Sequence, residues 1–164
     1  VWADSSGGAN EFRSTGVWEF SVRAAGGARF VTAVNGSGTP TAGVALSGGG
    51  GSWSSISDRN AKANFVSVNG RDVLERLAKV PIQVWNYKTQ DPSIRHIGPM
   101  AQDFAAAFKV GEDEKKITTV DADGVALAAI QGLHQVVKEK EARIELLERR
   151  LAELEKAVGS LREK

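Results

Sequence analysis

The most regular pattern lies at the C-terminal end of the chain. From Asp123 onward there is no proline, and apolar residues recur at alternating steps of three and four: Ile130, Leu133, Val137, Ile144, Leu147, Leu151, Leu154, Val158 and Leu161. Lys140 is the one polar residue in that register. This spacing keeps an apolar stripe on one side of a helix, and a stripe repeating every 3.5 residues winds helices around one another. The pattern predicts a coiled-coil helix over 123–164. With Ile130 at position a, Arg143 and Arg150 fall at g, and Glu148 and Glu155 at the e positions that follow. In parallel, in-register helices each g arginine meets the e glutamate of a neighbour, whereas antiparallel pairing would oppose like charges. An exposed pair of this kind is worth about 0.2–1 kcal/mol, so it sets orientation rather than strength. Ile and Val at a with Leu at d is formally the dimer preference. The heptads therefore leave the number of chains open.

Upstream, the periodicity shortens and mixes. Val73, Leu74, Leu77 and Val80 have helical spacing, which Pro81 stops; Ile82 to Tyr87 alternates like a half-buried strand; Ala101 to Phe108 places Phe104 and Phe108 on one helical face. Such a segment is marginal for a core of its own, which points to assembly or to packing on another element. The N-terminal part alternates with period two at Trp18–Val22 and Ala28–Val34, with Gly26-Gly27 and Asn35-Gly36 as turn signals. Asn10-Glu11-Phe12-Arg13 and Trp18-Glu19-Phe20-Ser21 hint at a short internal repeat. Strands this few and this glycine-rich do not enclose a core within one chain, so the region reads as the end of a β-rich stalk intertwined with identical neighbours. The run Ser47 to Ser55 reads as a flexible linker. The predicted fold class is α+β: a β-rich stalk end over 1–46, a Gly/Ser linker over 47–56, a small mixed α/β core over 57–122, and the long helix over 123–164.

Composition narrows the function classes. Twelve of the 18 glycines fall in the first 56 residues, with only three basic and three acidic residues beside them. The 21 basic and 20 acidic side chains nearly cancel, so no nucleic acid or anionic membrane partner is predicted. There is no cysteine, and no apolar run approaches the ~20 residues of a bilayer span. The opening Val1-Trp2-Ala3-Asp4 carries no signal-peptide pattern and reads as a fragment of a longer protein.

The candidate chemistry sits just after the glycine run, in Ser57-Asp58-Arg59-Asn60-Ala61-Lys62. A serine hydroxyl becomes a nucleophile when a base takes its proton, and a lysine serves as that base when burial disfavours its ammonium form. Five residues of separation lets both side chains converge across one turn or a bend. Ser57 also follows the Ile56-Ser57 bond directly, so its hydroxyl could reach the Ile56 carbonyl in an N-to-O acyl shift that water completes. Taken alone, the Ser/Lys spacing is a weak signal. Asp58 could pair with Lys62 or Arg59; the former would raise the lysine's pKa, so Asp58 is read as structural. Asp121-Ala122-Asp123-Gly124 lacks the other ligands of a calcium loop, and helix capping by Asp121 or Asp123 explains it better. His96 and His134 suggest no zinc site, His134 being a surface e position. Gly48 to Gly51 is followed by no Gly-Lys-Ser/Thr, so it is no phosphate loop. No metal and no cofactor is predicted.

Taken together, the Ser57-to-Lys62 run, Tyr87-Lys88, Arg95-His96-Ile97-Gly98-Pro99-Met100-Ala101-Gln102-Asp103-Phe104, and Val120 to Leu127 stand in that order before a coiled coil. Over about Ser57 to Glu145 this resembles the peptidase S74 family, the C-terminal intramolecular chaperone domains of phage endosialidases, tailspikes and fibres, also found in bacterial surface proteins. The resemblance implies a homotrimer that guides the preceding stalk into its fold and then cuts itself away. It implies Ile56-Ser57 as the scissile bond, Ser57 as nucleophile and Lys62 as general base, hence an autoproteolytic serine endopeptidase acting once on its own chain. It makes His96 and Gln102 supporting candidates, with His96 polarising the Ile56 carbonyl, orienting the dyad, or merely structural. Asp58 and Asn60 are the remaining supporting candidates; Asp103 is an equal candidate for helix capping. The implied partners are further copies of the chain and its own upstream stalk, and the implied location is a virion tail fibre or a bacterial surface. The chain departs from the family at Asn60, where arginine is common, at Ala61, where a larger apolar residue is common, and after Phe108, where a Pro-Glu pair often follows. Two further readings stand beside this one: a non-cleaving trimerisation cap of the same fold, and a receptor-binding tip.

Overall fold

The structure is a computed structural model and describes residues 2–3 and 12–162. The chain divides into two compact units, Val1–Val66 and Ser67–Lys164.

The first unit is β-structure joined by tight turns. Strands β1 (Trp2–Ala3) and β2 (Val22–Arg23) pair in parallel, and β3 (Gly27–Val34), β4 (Pro40–Ser47) and β5 (Trp53–Ser55) form an antiparallel sheet in that order. Register runs from Gly27 opposite Ser47 to Val34 opposite Pro40, with an irregularity around Ala33. The turn predicted at Asn35-Gly36 is built by the Asn35 side chain. Its Oδ1 accepts from the Ser37 N–H at 3.0 Å and the Thr39 N–H at 2.9 Å. Gly38, not Gly36, takes the left-handed conformation there, with φ +80°.

Two expectations for this unit are corrected. Residues 47–56, read as a flexible linker, form a turn and the outer strand of a hairpin. Gly50 N–H bonds to the Ser47 carbonyl at 2.9 Å, β5 pairs Trp53 with Leu46, and the Trp53 ring lies 5.5 Å from that of Phe30. The glycines act as turn residues, and a single tryptophan pins the returning strand. Trp18 to Val22, read as a strand, is a turn followed by a short strand at Val22. The Glu19 carboxylate gathers the N–H groups of Thr15 (2.6 Å) and Gly16 (2.9 Å), which folds the chain back and places Trp18 at φ +62°. The first phrase of the supposed repeat, at Asn10 and Glu11, lies outside the described residues. No large apolar side chain of this unit is buried among the described residues; Trp18, Phe20 and Phe30 are exposed.

The second unit contains α1 (Gly70–Leu77), β6 (Gln83–Trp85), β7 (His96–Gly98), α2 (Ala101–Phe108) and α3 (Thr119–Arg162). Asn69 caps α1, its Oδ1 accepting from the Arg71 and Asp72 N–H groups at 3.0 and 3.3 Å. The small core gathers Val73 and Val80 from the α1 segment, Phe104 from α2 and Ala129 from α3. Helix α3 is 44 residues long and begins four residues before the predicted Asp123. The reason is a reciprocal cap. Thr118 Oγ1 accepts the Asp121 N–H at 3.1 Å and donates to Asp121 Oδ2 at 2.7 Å. Thr118, not Asp123, therefore opens the helix, with Asp121 completing the cap.

Helix α1 lies against α3 at backbone contact distance. A Cβ on Gly132 would sit 2.2 Å from the Gly70 carbonyl oxygen, and one on Gly70 would sit 2.7 Å from the Ala128 oxygen. Arg71 clasps the edge of this crossing, its two terminal nitrogens 3.1 and 3.0 Å from the two Glu139 oxygens. The α1-bearing face, Ala129 and Gly132, is one residue step around the helix from the predicted seam. The seam side chains stay exposed, from 43% at Val137 to 72% at Leu161.

Substituting Gly132→Ala should push α1 off α3 and cost about 1–3 kcal/mol, because the added methyl meets backbone rather than a movable side chain. Gly124→Ala, at a helical glycine with open space around it, should stabilise by about 0.5–1 kcal/mol. Denaturant unfolding of both variants checks this; equal effects at the two sites would remove the close approach as the constraint.

Candidate functional site

The run Ser57–Lys62 is folded by one short 3₁₀ turn, Arg59–Ala61. Asp58 starts it: its Oδ1 accepts the Asn60 N–H at 2.9 Å and the Asn60 side-chain amide at 3.1 Å. Lys62 ends it, its N–H reaching the Arg59 carbonyl at 3.2 Å. Both flanking residues, Asp58 and Lys62, have extended backbones. An extended residue, one tight turn and another extended residue bring positions 57 and 62 to the same side. Lys62 Nζ lies 2.7 Å from Ser57 Oγ and donates to it. Asp58 and Asn60 support that approach through the turn. Asp58 is committed to Asn60, and among the described residues no ion pair joins it to Lys62 or Arg59.

The bond before Ser57 is held by the sheet. Ile56 continues β5 by one residue, its N–H donating to the Gly43 carbonyl at 3.2 Å. Gly43 has φ +143°, and a Cβ there would meet the Phe30 carbonyl oxygen at 2.3 Å. No pattern in the sequence marked Gly43; only the register of three strands makes its role visible. Ser57 and Lys62 are exposed in the single chain and Ile56 is half-buried.

The other candidates belong to the second unit. His96 opens β7 and stands opposite Trp85 of β6. Its ring lies 4.8 Å from that of Trp85 and 5.5 Å from that of Tyr87, and its Nε2 is 2.9 Å from Gln90 Oε1. Gln90 was not among the sequence candidates, because a lone glutamine in a loop carries no pattern. Gln102 and Asp103 are exposed in the first turn of α2. Asp103 makes no capping hydrogen bond there, as the helix begins at Met100 without a side-chain cap; its carboxylate has only the favourable end of the helix dipole.

Among the described residues no cluster of histidine, aspartate or glutamate is arranged to hold a metal ion, and no helix is long and apolar enough to cross a membrane. The arrangement offers a hydroxyl, an amine in contact with it, and a peptide bond fixed one residue upstream.

Residues 57–110 match the family model Peptidase_S74, described as the chaperone of endosialidase. The comparisons with curated proteins and with solved structures gave no match. The matched segment begins on Ser57 itself and takes in Lys62, His96, Gln102 and both short helices, α1 and α2, while α3 lies beyond it.

Asp58→Ala should loosen the 3₁₀ turn and widen the spread of Ser57–Lys62 distances, with the global unfolding free energy changed by only about 0.5–2 kcal/mol, the range of a lost cap. Amide exchange at Asn60 and Lys62 reports the turn: faster exchange at both, with the β3–β5 amides unchanged, is the expected result.

Proposed function

We propose that this chain, whose residues 57–110 match the family model of the chaperone of endosialidase, is an intramolecular chaperone that trimerises, guides the fold of the β-rich chain before it, and then cuts itself at Ile56-Ser57. The observation that carries this reading is the 2.7 Å contact between Lys62 Nζ and Ser57 Oγ immediately after a strand-held Ile56.

In the cut, the neutral Lys62 amine accepts the Ser57 hydroxyl proton along the line of the present Nζ–Oγ contact. The Ser57 oxygen attacks the Ile56 carbonyl carbon, the C–N bond breaks, and the Ser57 nitrogen takes up a proton. Water then hydrolyses the ester, leaving a carboxylate on Ile56 and a free amine on Ser57. Ser57 and Lys62 are exposed in the single chain, and withdrawal from water on assembly disfavours the charged form of any amine. Cleavage is thereby tied to assembly, and only a packed site reacts.

Assembly itself is supported by α3. Its nine seam residues, Ile130 to Leu161, are exposed along one continuous helix, and Arg143/Glu148 and Arg150/Glu155 favour a parallel arrangement. The exposed faces of β3–β5 fit a stalk end intertwined with the same copies. The location that goes with this role is a virion tail fibre or a bacterial cell surface. Exposure of both Ser57 and Lys62 also supports a second reading, a trimerisation cap that never cuts.

A denaturing gel of the whole chain separates the two. The expected result is a cut between Ile56 and Ser57 that is abolished in Ser57→Ala and slowed roughly 10²–10⁴-fold in Lys62→Ala, the range of a lost general base. A wild-type band that stays whole for days would favour the cap.

Leu147→Glu combined with Leu154→Glu should convert a trimeric mass in sedimentation to a monomeric one and suppress the cut with it. Undiminished cleavage by the monomer would break the link to assembly.

A further inference from the structure

The loop between β6 and β7 folds as two successive turns. In the first, the Gln90 N–H bonds to the Tyr87 carbonyl at 3.0 Å, and the Asn86 side-chain amide donates to the same oxygen at 2.9 Å. In the second, Asp91 accepts from the Ser93 hydroxyl at 2.6 Å and the Ser93 N–H at 2.8 Å, and the hydroxyl bond, then the N–H bond, holds its carboxyl below the ordinary range. These turns bring the Gln90 side chain back over the start of the loop. There its Oε1 receives two contacts: the Tyr87 main-chain N–H at 3.3 Å and His96 Nε2 at 2.9 Å.

A main-chain N–H can only donate, so the end of the Gln90 amide that faces it is the carbonyl oxygen. A ring nitrogen 2.9 Å from that oxygen must carry a proton. In neutral imidazole the other nitrogen then holds the lone pair. Trp85 and Tyr87 lie against the ring, and the nearby Arg95 guanidinium is turned to the Val84 carbonyl at 3.4 Å. Among the described residues Nδ1 has no hydrogen-bond partner.

We infer that Gln90 is a positioning residue that fixes His96 in its Nε2–H tautomer, so that the neutral ring acts only as an acceptor, through Nδ1. Resting on the self-cleavage reading for its consequence, this removes one role the sequence left open for His96. A neutral His96 with its one proton committed to Gln90 does not polarise the Ile56 carbonyl; it accepts a hydrogen bond or a proton from a hydroxyl, an amine or a water.

The test uses the full chain with Ser57→Ala, which keeps it whole, and ¹⁵N-labelled histidine above the pH at which the rings are neutral. His96 should give the shifts of a single Nε2–H tautomer, while the exposed His134 gives the averaged shifts of a solvated ring. Gln90→Leu should bring His96 to the same average, and Gln90→Glu, whose carboxylate also accepts, should keep the single tautomer. A proton on Nδ1, or a spectrum unmoved by Gln90→Leu, would falsify the assignment. On the Ser57 background, Gln90→Leu should slow the cut roughly tenfold, the loss of one orienting hydrogen bond, and Gln90→Glu should restore most of it. Equal rates in all three chains would end the positioning role. A chain that never cuts sinks the cleavage reading, and the histidine spectrum then decides the inference by itself.

Discussion

In water, each methylene left uncovered forgoes about 0.8 kcal/mol relative to burial. Nine aliphatic side chains along α3 stand in that position, and so do the rings on β3 and around Trp18. The cores within the chain are small: Val73, Val80, Phe104 and Ala129 in one unit, and no large apolar side chain in the described part of the other. Such a molecule leaves these apolar contacts unmade among its described residues. Every other feature sits inside that constraint. The short helices are packed so as to leave the seam open, with α1 confined to the glycine face of α3.

That confinement was not legible in the sequence. Gly132 falls inside a strong heptad pattern, where a glycine reads as a tolerated weakness, and Gly70 reads as an ordinary first helical residue. Only the crossing of two backbones at contact distance reveals why neither carries a side chain. The long helix, by contrast, was legible, because one period ran through it without interruption by proline. The helix start was misread for a local reason: two aspartates drew attention, while the hydroxyl that caps the helix, on Thr118, lies just outside the periodic stretch.

The site divides in the same way. Ser57 and Lys62 were paired by the resemblance of the run around them, since their spacing alone is a weak signal; the single 3₁₀ turn then brings the two side chains into contact. Asp58 and Asn60 could be named as neighbours, but their bond to each other, which makes the turn, needed coordinates. Gly43 and Gln90 could not be found at all. Each acts through a partner distant enough in sequence, or common enough as a residue type, that no local signal exists. The Gly/Ser run shows the limit of composition most plainly. Glycines at Gly49 and serines around it supply either slack or a tight turn, and the choice falls to Trp53, which finds Phe30 across the sheet.

The hydrogen bond from Ile56 to Gly43 gives the chain a fixed geography of ownership. Ile56 belongs to the strand side of the bond that follows it, whereas hydroxyl, amine and 3₁₀ turn all belong to the other side. Severing that bond would therefore leave the upstream product still stitched into its sheet and carry off every reactive group with the downstream piece. The upstream piece would keep neither Ser57 nor Lys62, only a strand terminus paired to its neighbour.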